Sequence, residues 1–139
     1  MAAYQKFEQF VLDLAEKVHD TGVDLIKIAL TNTTPLVTNT VFANITEIGA
    51  GNGYTAGGDD TTNTHAEVTG TLTVSVVDVV WTASGGTIGP FQYVVAYNDT
   101  PASPLDPLIA FWDHGSAVTL ADAETFTVDF ASDQLFTLS

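Results

Sequence analysis

The chain has 139 residues with a formal net charge of -14, from 17 acids against Lys6, Lys17 and Lys27, and it contains neither arginine nor cysteine. That balance excludes the clustered cations a nucleic-acid partner requires and disfavours an anionic membrane surface. The missing cysteines exclude disulfides and thiolate metal sites. Charged residues make up only 14% of the chain, against a usual value of about 25%, and 21 threonines take their place. A weakly charged, Thr-rich surface suits solvent-facing sheet or contact with other subunits, because removing Thr from water costs less than removing Lys or Glu.

Residues 1–21 read as the one helical segment. Phe7, Phe10, Val11, Leu14 and Val18 recur at three- and four-residue spacing, with Glu8, Asp13, Glu16 and Lys17 off the stripe. Thr21-Gly22 supplies a stop, and His19 is expected at the surface beside the stripe. The acids that interrupt this segment argue against a secretory leader, and no other apolar run is long enough to span a bilayer.

From residue 23 to 139 the period is two. Ile26, Ile28 and Leu30 oppose Leu25, Lys27 and Ala29. Residues 31–40 are polar, include Pro35, and read as a loop; 41–48 read as a strand; 49–58 are too rich in glycine for regular structure. Residues 67–77 form the clearest strand, with Val68, Gly70, Leu72, Val74 and Val76 on one face and Thr69, Thr71, Thr73 and Ser75 on the other. Residues 79–83 continue it after Asp78. Residues 91–97 place Phe91, Tyr93, Val95 and Tyr97 together, and 98–107 form a long loop. Strands at 108–112, 117–120, 125–130 and 135–138 complete the set, with Phe126, Val128 and Phe130 expected in the core. Eight or nine short strands in a single domain over 1–139 predict an all-β fold, a β-sandwich or jelly roll with one N-terminal α-helix.

No residue set assigns itself a catalytic role, so no enzyme and no cofactor are expected. The run Gly49-Ala-Gly-Asn-Gly lacks the following helix and lysine of a phosphate loop. His19, His65 and His114 lack the paired spacing of a zinc site. Asp59, Asp60, Asp99 and Asp106 carry calcium-type ligands, yet a solvated acidic loop is the simpler reading. Trp81 and Trp112 lie in strand-like runs and read as core. Tyr54, Tyr93, Tyr97 and Trp112 are the available members of a carbohydrate-binding platform. Asn32, Asn44 and Asn98 match the glycosylation pattern by chance.

Several phrases resemble a family of tailed-bacteriophage proteins. They are Asp24-Leu-Ile-Lys-Ile-Ala-Leu-Thr-Asn-Thr33, Ile45-Thr-Glu-Ile-Gly-Ala-Gly-Asn-Gly-Tyr-Thr-Ala-Gly-Gly58, Trp81-Thr-Ala-Ser-Gly-Gly-Thr-Ile-Gly-Pro-Phe91, Tyr97-Asn-Asp-Thr100 and Glu124-Thr-Phe-Thr-Val-Asp-Phe130. The family is that of capsid cement, or decoration, proteins. The resemblance implies a jelly-roll-like virion protein, made in the bacterial host cytoplasm and displayed on the outer capsid surface. Its implied partners are the major capsid protein and, as a dimer or trimer, itself. A tail, fibre or head-tail joining component is the alternative, and a carbohydrate-binding module the reading from another class. The uncharged loops at 31–40 and 49–58 are the expected contact surface, with Pro35, Asn52, Tyr54 and Thr55 as its residues and Tyr54 as the anchor.

Overall fold

A computed structural model describes residues 3–139. The chain folds as an all-β sandwich with one N-terminal helix. A five-stranded sheet combines β1 (Ala3–Lys6), β8 (Leu108–Leu120), β7 (Ile88–Asn98), β2 (Ile26–Thr31) and β3 (Asp59–Thr61), in that order. Against it lie a three-stranded sheet, β10 (Gln134–Leu138), β5 (Thr71–Val76) and β4 (Asn63–Val68), and a two-stranded one, β6 (Val79–Thr82) with β9 (Thr125–Val128). Every strand pairing is antiparallel. Among the described residues, no helix is long and apolar enough to cross a membrane.

The main core fills the space between these layers. Ile26, Ile28 and Leu30 of β2, Val94 of β7 and Trp112 of β8 meet Val74, Val76, Trp81, Val128 and Phe130 there. The opposite face of the five-stranded sheet is buried as well. Ala29, Tyr93, Val95, Tyr97, Leu108 and Phe111 pack against Phe7, with Val37, Phe42 and Ile45 of the 32–58 segment over them. The parity expected for β2 therefore holds, and both of its faces are covered.

Several expectations are corrected. The helix α1 spans only Glu8–Ala15 and follows a strand, β1, which pairs with β8 from Ala3↔Asp113 to Lys6↔Ala110. Its stop is Lys17 in the left-handed region (φ 62), ahead of Gly22. The helix turns Phe10 and Asp13 inward, so Val11 is 54% exposed. Residues 41–48 form no strand. They hold a 3₁₀ turn at Phe42–Asn44 and two isolated bridges, Val41↔Pro107 and Thr31↔Glu47.

The segment 67–77 is a hairpin turning at Thr69 (φ 49) and Gly70 (φ 84), the two positive φ values of a type I′ turn. Val68 pairs with Thr71 and so shares a face with it rather than with Val74; it is 67% exposed. Phe91 parts company with Tyr93, Val95 and Tyr97 because the β7–β8 register shifts between Phe91 and Tyr93, turning Phe91 into the main core. Phe126, Val128 and Phe130 do meet in that core, with Phe126 only partly buried.

Candidate functional site

The expected contact loops are built inward. Tyr54 is 2% exposed, and its hydroxyl accepts from the Leu30 amide (3.0 Å) and donates to Glu47 Oε1 (2.7 Å). The same carboxylate oxygen accepts from the Gly57 amide at 2.6 Å. Burial pushes the Tyr54 phenol far above its ordinary range, so it stays a donor. Pro35 is also buried. Neither residue offers a surface to a partner, which corrects the reading of Tyr54 as an exposed anchor. Asn52 and Thr55 are exposed. Asn52 sits at φ 57 and donates its side-chain amide to the Thr87 carbonyl at 3.0 Å, so it closes the loop locally. The glycines serve the same inward approach: a Cβ on Gly58 would strike the Ile28 carbonyl, and one on Gly53 the Thr82 carbonyl. Gly49 and Gly51, by contrast, face open space.

Two of the four candidate calcium ligands lie against a cation the chain supplies itself. Lys27 Nζ lies 3.4 Å from Asp99 and 3.9 Å from Asp60. Burial first, then Asp60, raises the Asp59 carboxyl above its ordinary range, with Lys27 opposing. Asp106 is raised by burial and by Asp99, again against Lys27. Strand β2 aims Lys27 away from the main core, and β3 brings Asp59 and Asp60 alongside through the pairs Lys27↔Asp60 and Ile28↔Asp59.

The three histidines stay apart. His114 packs on Phe126 with ring centroids 5.6 Å apart. His65 on β4 shares a 2.9 Å hydrogen bond with Thr21 Oγ1, and Asn63 Nδ2 donates to the Thr21 carbonyl, fixing the turn after α1 to the smaller sheet. His19, expected at the surface, is 8% exposed, packed against Phe10 and hydrogen-bonded to Asn98. Among the described residues no three His, Asp or Glu side chains are grouped as a metal would require. Asn98 is fully buried, which removes it as a glycosylation acceptor.

The carbohydrate platform does not exist as a surface, because Tyr54, Tyr93, Tyr97 and Trp112 are all buried. An apolar groove of about 590 Å³ opens at the end of the sandwich, where β1 and β10 part beneath α1. Phe10, Val11 and Leu14 form one wall, and Tyr4 and Trp112 belong to the floor. The other wall is β10, lined over five consecutive residues from Gln134 to Leu138. Alternate residues of a strand point to opposite faces, so consecutive lining means that the groove runs along the strand's edge. That edge is free, since β10 pairs only with β5. Lys6 is the one charged residue of the lining. Sequence reading missed this site because its two walls are 120 residues apart in the chain. Compared with known proteins, the chain matches no family model, no curated sequence and no solved structure.

Proposed function

We propose that this chain is a virion structural protein, a capsid cement protein that binds the outer surface of a phage head and strengthens contacts between capsid subunits. The observation that carries the reading is the open end of the sandwich, where an apolar groove, a free strand edge and the exposed side chains of Tyr4, Val11 and Leu138 lie together. Exposed apolar side chains gathered at a groove mark a surface that suits a partner. A free edge beside it suits an added strand, whose main-chain hydrogen bonds contribute affinity while the groove receives alternate side chains. The major capsid protein is the partner in this reading, and a dimer or trimer of the chain is its companion state. The sequence phrases that resemble decoration proteins point the same way, and the acid-rich exterior suits a location away from packaged DNA. Binding to the assembled shell alone stabilises that shell by mass action.

Cosedimentation with undecorated heads tests the proposal. Val11→Asp and Leu138→Asp place charge on groove side chains already about half exposed, so the free protein's melting curve should hold while head binding weakens. Unchanged binding by both variants removes the groove from the contact. Cryo-EM density on the tail, or on no part of the particle, overturns the capsid assignment itself.

A further inference from the structure

His19 lies in the link between α1 and β2, between Phe10 of the helix and Asn98 at the end of β7. Its proton inventory follows from its neighbours. The Thr100 amide donates to Asn98 Oδ1 at 3.1 Å, which fixes the orientation of the Asn98 side-chain amide. Nδ2 of Asn98 then faces two partners, Asp24 Oδ2 at 2.6 Å and His19 Nδ1 at 3.0 Å, and it has two hydrogens for them. That orientation assigns His19 Nδ1 as the acceptor and the ring as neutral with its hydrogen on Nε2, an atom that is buried without a hydrogen-bond partner among the described residues. Asp24 Oδ2 also accepts the Asp20 amide at 2.8 Å, so the network ties the turn before β2 to itself and to β7.

We infer that His19 is a pH-sensitive latch, which when neutral fastens the segment following α1 to the end of β7 and when protonated releases it. A proton taken up on Nδ1 sets an N–H against the N–H of Asn98 and abolishes that hydrogen bond. Reversing the Asn98 amide does not rescue it, because the Asp24 and Thr100 bonds would then be lost. The charged groups acting on the ring are Asp13 from α1 and Asp24 from the turn, and both favour the proton. Burial outweighs them and holds the imidazole below its ordinary range. The β7 side presents the uncharged Asn98, and the Phe10 side is apolar. The sign follows: the stabilisation is complete above the ordinary histidine value of 6.5 and is lost as pH falls through the lower folded value. Phe10 contacts both the His19 ring and, at 5.0 Å between centroids, the Phe136 ring of β10. Release therefore loosens a wall of the groove. The latch stands on this hydrogen-bond network and does not depend on the capsid reading.

Nitrogen-15 spectra of the imidazoles at pH 7.5 test the tautomer in the intact chain. The expected result for His19 is a bare Nδ1 and a protonated Nε2. A protonated Nδ1 overturns the inference. Amide exchange at Glu16, Lys17 and Val18, whose N–H groups bond to α1 carbonyls, tests the release. Corrected for its intrinsic pH dependence, their opening should rise between pH 7.5 and 5, by about tenfold for each unit of pKa depression. His19→Gln should remove the rise, and His114→Gln, on a ring packed against Phe126 away from this segment, should keep it. A rise that persists in His19→Gln overturns the latch. If that variant does not fold, the tautomer in the parent chain decides the question.

Discussion

The two faces of the five-stranded sheet are both buried, by different means. Toward the sandwich interior, strand meets strand, and aliphatic and aromatic side chains from three sheets fill the gap. On the other face, the irregular 32–58 segment lies over the sheet, and the contact mixes rings with hydrogen bonds. Phe42 stacks on Tyr97 at 4.1 Å, the Tyr97 hydroxyl donates to the Gly57 carbonyl at 2.6 Å, and Tyr93 meets Thr34 at 2.8 Å. A loop can cover a sheet only if its own backbone groups find partners. Tyrosines on the covered face, Glu47 within the loop and glycines at the closest approaches meet that need.

Substitutions on the two faces should separate these means. The largest effect belongs to the interior: Phe91→Ala removes a fully buried ring and should cost about 3–5 kcal/mol in urea unfolding. Phe126→Ala, on a partly buried ring, should cost about half as much. Equal costs would mean that the sandwich interior closes over both. On the loop-covered face, Gly58→Ala combines a left-handed φ of 76° with a clash against the Ile28 carbonyl. It should cost about 2–4 kcal/mol, above the usual cost of strain at one position. A neutral result would show that the loop rests on the sheet loosely. Tyr54→Phe keeps the ring and strands the buried Leu30 amide, at about 1–3 kcal/mol by thermal melts. The smallest effect is at Thr55, exposed on the same loop, where alanine should stay within about 0.5 kcal/mol of the parent.

The difference between the faces also explains what the sequence makes legible. Period-two patterns in β2 and β9 are sound because each strand has a fixed parity toward the core, whereas residues 79–83 do not continue the 67–77 strand but pair as β6 with β9 in a separate sheet. Parity misleads where the chain turns or bulges. The hairpin at Thr69-Gly70 continues the alternation of Thr and Val while moving Val68 to the other side of its sheet. The shift near Phe91 does the same within one strand. Tyr54 is amphipathic in an uncharged loop, a pattern shared by interface anchors and by side chains that fix a loop to its own sheet; only the partners of its hydroxyl distinguish them. The acids at 59, 60, 99 and 106 carry calcium-type ligands in sequence, but Asp60 and Asp99 pair with Lys27 of β2, a contact between strands that the sequence does not show. His19 was out of reach, because its burial depends on Asn98, a residue 79 positions away.

The β4–β5 hairpin has a further use. At its tip, a side chain added at Gly70 would meet nothing within 4 Å, and neighbouring Val68 already stands in solvent. The tip is therefore a splice point, where a foreign peptide could be inserted and presented outward. Lengthening a flexible connection costs little, about 0.6 kcal/mol for each doubling, because closure entropy grows only with the logarithm of length. Both strands would keep their register from Asn63↔Val76 to Val68↔Thr71, so the insert would extend from a scaffold that does not need to refold around it.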